Sequence, residues 1–261
     1  MGIVEIRDLK KSYKNKVVLN GLNLDIQAGE FWGLVGKNGA GKSTVLNMIA
    51  GVYPVDSGSI MIDDIDVTKL PEHKRAKYLG RVFQDPMNGT AADMNIEENL
   101  ALAARRGKQR FLGWGITAKE REEYKERLGS LGLGLEDRMT SKVGLLSGGQ
   151  RQAVTLLMAS LRKPKLLLLD EHTAALDPKT AKKVLELTEE IVAKDNLTTL
   201  MITHNMKDAI RLGNRLIMMH EGKVIYDISG EEKKNLKVAD LLAKFEEVSG
   251  DELANDRMIL S

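Results

Sequence analysis

Three short runs carry residue types that can do chemistry together. Gly36-Lys37-Asn38-Gly39-Ala40-Gly41-Lys42-Ser43 sets glycines around a lysine and a hydroxyl. Glycines at this spacing let main-chain N–H groups close around phosphates. The lysine places a cation on the β- and γ-phosphates of a nucleotide, and the serine offers a hydroxyl to Mg2+. Leu166-Leu167-Leu168-Leu169-Asp170-Glu171 is an apolar run that ends in two carboxylates. At the carboxyl end of a parallel strand, where ligands bind, Asp170 is expected to hold Mg2+ through its water shell and Glu171 to polarise an attacking water. Leu146-Ser147-Gly148-Gly149-Gln150 puts a serine and two glycines at a helix start, an arrangement suited to an anion.

The surrounding pattern supplies elements to hold these runs. Residues 3–35 read as β-rich: Val4, Ile6 and Leu9 sit among polar neighbours, Lys14-Asn15-Lys16 reads as a hairpin turn, and Leu22, Leu24 and Ile26 alternate. Phe31–Val35 predicts a strand feeding the glycine loop. A helix is predicted from Ser43 to Ala50, with Val45, Leu46, Ile49 and Ala50 facing inward. Further strands are predicted at Ser59–Ile65, at Arg81–Gln84, at Lys165–Leu169 and at Leu197–Thr203. Asp177-Pro178 reads as an N-cap and first turn, and Arg215–Asp227 as a hairpin around Glu221-Gly222. Residues 93–161 are rich in Ala, Leu, Glu and Arg and read as an inserted helical subdomain. From Leu236, the spacing of Val238, Leu241, Leu242, Phe245 and Val248 predicts a helix, docked on the core or offered to a partner. Strands alternating with helices imply a mainly parallel sheet covered on both faces.

Composition narrows the class. Charged residues at 29% and hydrophobic residues at 43% of 261 fit a soluble globular chain. Lys and Arg (39) nearly balance Asp and Glu (37), and a net charge of +2 is too small to argue for a nucleic-acid partner. The absence of cysteine excludes disulfides and thiolate metal sites. The N-terminus alternates and carries charge, so no signal peptide is expected, and no apolar run approaches the ~18 residues that span a bilayer.

The phosphate loop, Leu146–Gln150, the Leu166–Glu171 strand, Ala174-Ala175-Leu176-Asp177 and His204 follow one another in an order that resembles the ATP-binding subunits of ABC transporters. The resemblance covers roughly residues 3–230. It implies an α/β P-loop NTPase (RecA-like) with a mixed sheet core, an N-terminal antiparallel β subdomain and an inserted α-helical subdomain at about 90–161. Residues 1–230 would form the ATPase domain and 231–261 a helical tail without a separate regulatory domain. The implied ligands are ATP and Mg2+. ATP would be held by Gly36, Lys37, Asn38, Gly39, Ala40, Gly41, Lys42, Ser43 and Thr44, with Tyr13 stacked on adenine unless it is an ordinary strand-surface tyrosine. Ser43, Asp170 and Gln84 would serve the metal. Glu171 matches the general base, His204 the switch histidine at the γ-phosphate and Gln84 the glutamine that relays movement. Ser147, Gly148, Gly149 and Gln150 would close on ATP held by Lys42 of a second chain, and Asp177 would communicate between the two. Implied partners are a second ATPase subunit, identical or homologous, transmembrane permease subunits and, indirectly, a solute-binding protein, with no nucleic acid; the place of work would be the cytoplasmic face of the membrane.

One position departs from the family. His172 stands where proline is usual, either tuning Glu171 or acting as a local packing variant, the latter being the favoured reading. The run Asp170–Pro178 resembles a bacterial subfamily paired with separate membrane and solute-binding subunits, which implies aromatic amino acids such as tryptophan as solutes, and a stand-alone subunit of this kind implies import. His73 and His220 lack a chemical context. Arg105, Arg106, Lys108, Arg110, Phe111 and Trp114 read as a solvated loop, the alternative being contact with lipid headgroups or the membrane subunit. Two other classes compete: a soluble single-module ABC ATPase of cofactor or Fe–S assembly, and a P-loop kinase, which leaves Leu146–Gln150 unexplained.

Overall fold

The computed structural model describes residues 2–108 and 115–249, and the chain divides into two compact units, Met1–Arg75 with Leu197–Ser261, and Ala76–Asn196. In the first, β1 (Val4–Tyr13) and β2 (Lys16–Ile26) pair antiparallel with Tyr13 opposite Lys16, so the turn falls at Lys14-Asn15 as the sequence predicts. Alternation along both strands buries Val4, Ile6, Leu9, Leu22, Leu24 and Ile26. All five residues of β3 (Phe31–Val35) are buried, and it runs into the glycine loop and α1 (Lys42–Ala50), which buries Val45, Leu46, Met48, Ile49 and Ala50.

The single strand expected at Ser59–Ile65 is two: β4 (Ser57–Ile62) and β5 (Ile65–Asp66). Asp63 and Asp64 take left-handed φ values of 53° and 60°, and the chain reverses in a two-residue hairpin. Short acidic side chains tolerate that conformation, a cue the apolar spacing conceals. The resulting antiparallel sheet has the order β2-β1-β4-β5. After it, α2 (Glu72–Arg75) ends in a buried arginine, which donates to the carbonyls of Met48 (2.7 Å), Ile49 (2.9 Å), Leu70 (2.7 Å) and Thr68 (3.0 Å).

In the second unit, β6 (Leu79–Val82) stops two residues short of Gln84, and a 3-10 turn follows at Pro86–Gly89. Three helices come next: α3 (Ile96–Ala104), α4 (Ala118–Gly129) and α5 (Gly148–Ser160). Glu97 on α3 receives Arg121 of α4 in a forked pair at 2.7 and 3.2 Å. Nearly every residue of α5 from Gly149 to Leu157 is buried, Arg151, Gln152 and Thr155 included. Gln152 is admitted because its amide donates to the Phe83 carbonyl at 3.1 Å. Leu166–Leu169 of β7 (Leu166–Asp170) have no exposed surface, the mark of a strand covered on both faces, and β7 runs parallel to β6 with Val82 opposite Leu169. Finally, α6 (Pro178–Asp195) starts at its Asp177 cap.

The basic stretch after α3 is not wholly a solvated loop. Arg106 donates to the Ala159 carbonyl at 3.1 Å, and Arg105 bonds the Gly115 carbonyl and Glu120. Arg110, Phe111 and Trp114 lie outside the described residues.

The chain then returns to the first unit with β8 (Thr199–Ile202), α7 (Met206–Arg211), β9 (Arg215–His220), β10 (Lys223–Ser229), α8 (Gly230–Asn235) and α9 (Val238–Ser249). The strands lie in the order β10-β9-β3-β8, with β3 parallel to both neighbours and β9 and β10 antiparallel. The tail helix α9 docks: Leu241 and Phe245 are fully buried in a cluster with Val35, Met206, Ala209, Leu216 and Met218.

Candidate active site

The first unit carries the phosphate loop and His204. At Gly36 a Cβ would lie 2.2 Å from the Met219 carbonyl oxygen, so the turn out of β3 admits only glycine. Inside the loop, the Ala40 N–H donates to Lys37 O at 3.1 Å, and Gly222 N–H holds Ala40 O at 3.0 Å. Gly41 caps α1 with φ 101° and without a side-chain bond, and the first turn of α1 contains no acid. The leading N–H groups and the positive end of the helix dipole are therefore not answered by a cap, the condition for anion binding. Lys42 is only 4% exposed, and its ammonium donates to Gly36 O at 2.5 Å and Lys37 O at 3.0 Å. Ser43 is exposed.

Register places His204 at the same sheet edge. Leu34 of β3 lies opposite Ile202 of β8, so the residues after each strand emerge together. Thr203 donates to Leu34 O at 3.3 Å, and Asn205 caps α7 through the Asp208 N–H. His204 is thus held between a strand end and a capped helix. Tyr13 stands 43% exposed at the end of β1, its ring edge-on to Tyr53 with centroids 6.0 Å apart and the Lys11 ammonium 5.3 Å away. An exposed ring at a sheet end is available for stacking.

The second unit carries the carboxylates and the serine–glycine turn. Glu171 follows β7 in the left-handed region, φ 47°, a costly conformation for a glutamate and one that concentrates at functional sites. Asp170 accepts from Arg81 at 3.5 Å, and the Arg81 guanidinium lies 4.5 Å from the Phe83 ring centre. Gln84 is exposed two residues beyond β6, as Glu171 is two beyond Leu169, so both leave the same edge of the pair.

His172 is buried, and its Nε2 lies 3.0 Å from the Thr188 hydroxyl, which itself donates to Val184 O at 2.8 Å. Thr188 must then accept, so Nε2 carries the hydrogen. Burial pushes the imidazole pKa down to about 4, which leaves it neutral. His172 therefore packs α6 against the turn, as the favoured reading of the sequence has it.

Ser147 caps α5: its Oγ accepts from the Gln150 N–H at 3.3 Å, and Gln150 Oε1 accepts from Ser147 N–H at 3.2 Å. A hydroxyl that accepts in this way still has its own hydrogen to give. Gly149 is buried, and a Cβ there would lie 2.1 Å from Thr180 Cγ2. Thr180 in turn donates its N–H to Asp177 at 3.1 Å, and hydrogen bonding to Thr180 holds the Asp177 carboxyl below its ordinary range. Sequence reading missed Arg81 and Thr180. Arg81 meets Asp170 and the Thr180 methyl meets Gly149 only through folding, whereas the Thr180 N–H bond to Asp177 belongs to the cap that the sequence predicts.

The family model for ABC transporters matches residues 19–174. The tyrosine transport ATP-binding protein of Clostridioides difficile is 46% identical over 249 residues, 94% of this chain and 99% of that protein. The spermidine/putrescine import ATP-binding protein of Haemophilus influenzae is 36% identical over 93% of this chain, which spans only 63% of that relative's length. Among solved structures, the ADP conformation of an ATP-binding cassette of an ABC transporter superposes with a TM-score of 0.78 at 27% identity, covering 96% of this chain and all of that one. A dimeric cassette in a post-hydrolysis state with ADP and phosphate gives 0.73 at 29% identity over 87% of this chain and 98% of that one. The chain carries the phosphate loop, the acidic strand end and the serine–glycine turn, and, a P-loop NTPase in fold and an ATPase in activity, it belongs to the ATP-binding subunits of ABC transporters.

Proposed function

We propose that the chain hydrolyses ATP for an importer of an aromatic amino acid. It would act as a pair of identical chains at the cytoplasmic face of a membrane, coupled to separate permease subunits and a solute-binding protein. The observation that carries the solute class is the 46% identity, over nearly the full length of both chains, to a tyrosine transport ATP-binding protein. Among the described residues no helix is long and apolar enough to cross a membrane, so the solute path is assigned to other subunits. Residues 1–230 are proposed as the ATPase domain, with the helical insertion at about 90–161 and a tail at 231–261.

Roles follow from the chemistry of each group. The loop Gly36–Thr44 and Lys42 bind the triphosphate, and Tyr13 stacks on the base. Glu171 takes a proton from water as its oxygen attacks the γ-phosphorus, and ADP departs with the bridging oxygen. His204 steadies the γ-phosphate, and Gln84 senses it. From a second chain, Ser147, Gly148, Gly149 and Gln150 close on the same nucleotide, and Asp177 links the two sites. The Ser43 hydroxyl, the Asp170 carboxylate and the Gln84 amide are hard oxygen donors that suit Mg2+. Among the described residues no cluster of three acidic or histidine ligands forms, which fits an ion carried with the phosphates. When bound, Mg2+ would neutralise developing phosphate charge.

Glu171→Gln is the direct test. It is expected to keep ATP binding, trap a closed pair and lower turnover about 100-fold or more. Unchanged hydrolysis would remove Glu171 from the mechanism. For the solute, ATPase activity of the reconstituted transporter should rise with an aromatic amino acid and not with a polyamine; the reverse would reassign the substrate.

A further inference from the structure

The tail helix reaches the phosphate loop. Phe245 of α9 is fully buried, and the Lys37 ammonium lies 5.1 Å from its ring centre. His220, the last residue of β9, meets the same ring edge-on with centroids 5.3 Å apart. Phe245 also packs in the cluster that holds Val35, the last residue before the loop. Lys37 is itself a loop residue whose carbonyl accepts from Lys42 at 3.0 Å and from the Ala40 N–H at 3.1 Å. One aromatic ring therefore fixes the side chain of a residue whose main chain holds the lysine of the phosphate site.

A cation over a ring face is attracted by the ring quadrupole, more so when water is excluded, as it is on the buried side of this ring. Lys37 has a long, rotamer-rich stem, and pinning its end removes freedom that the loop would otherwise lose on binding a ligand. We infer that Phe245 is a positioning residue for the phosphate loop, acting through Lys37 to pre-order it for the nucleotide; this rests on the assignment of Lys42 and its loop to ATP. No residue of α9 touches the nucleotide in this scheme. The tail sets affinity for ATP from behind the loop.

Conservative variants in the full-length protein separate this role from simple packing. Phe245→Tyr and Phe245→Trp keep a ring face; Phe245→Leu and Phe245→Met keep apolar bulk without one. ATP affinity and KM, measured with thermal stability and kcat, should weaken about two- to five-fold in the Leu and Met variants, with kcat nearly unchanged, and recover in the variant with a ring. In a Lys37→Met background, Phe245→Leu should add no further loss. A purely structural role predicts the same loss in both backgrounds. Equal or tighter ATP binding by a stable Phe245→Leu protein would overturn the inference. Lys42→Ala serves as the control for the underlying assignment: if it binds ATP normally, the loop is not the phosphate site. If Lys42→Ala loses binding and Phe245→Leu does not, only the tail's role fails.

Discussion

The buried, neutral His172 beside Glu171 ties stability to pH. The His172 pKa falls from 6.5 to about 4 on folding, because burial excludes its charged form. The unfolded chain therefore binds the extra proton first. The full contribution is present above pH 6.5 and is lost as the pH falls toward about 4, by about 3 kcal/mol at the limit. Denaturant midpoints measured from pH 7 to 4 should fall more steeply for the native protein than for His172→Leu, which leaves Thr188 its bond to Val184. At Gly36 the constraint is steric. Gly36→Ala would drive a methyl into the Met219 carbonyl, and loss of ATP binding with a lower melting temperature is expected in calorimetry and thermal melts. The phosphate loop, the carboxylate pair and the serine–glycine turn were legible because their chemistry dictates residue types at close spacing. Arg81, the Thr180 contact with Gly149 and the ring contact to Lys37 were not, because each depends on residues far apart in the chain.

Elements show the same division. Strands β3 and β7 were visible as short apolar runs, and α6 announced itself through Asp177-Pro178. The Asp63-Asp64 hairpin and the all-round burial of α5 were hidden, since a turn of two acids and a glutamine bonded to a carbonyl both look like solvent-facing polarity. Arg75 is the sharpest instance. In sequence it is one more charge in a polar stretch, yet it donates to carbonyls near the end of α1. Arg75→Met should strand the Ile49 carbonyl, leave Met48 O with only the Gly51 N–H, and cost about 2–4 kcal/mol, measurable as a shift of the chemical denaturation midpoint. Arg75→Lys should recover only part of the loss, because an ammonium cannot reproduce the planar fork.

For the whole molecule, turnover is assigned to two chains acting together. Ser147→Arg adds bulk and charge at the α5 cap, on the exposed side of that turn. It should leave nucleotide binding by single chains intact while hydrolysis falls to background, as read by binding and phosphate-release assays on the same preparation. Normal turnover would mean that the turn serves no neighbouring nucleotide. The behaviour expected of such a pair draws on a modest contact in each chain: Thr180 offers its N–H to Asp177 and its methyl to Gly149. A shift of the Asp177 loop that keeps this bond would carry the threonine with it, and a move of its methyl toward Gly149 would press on the glycine. News of what a neighbour holds would then arrive at the glycine turn mechanically, by one side chain changing place rather than by a long relay.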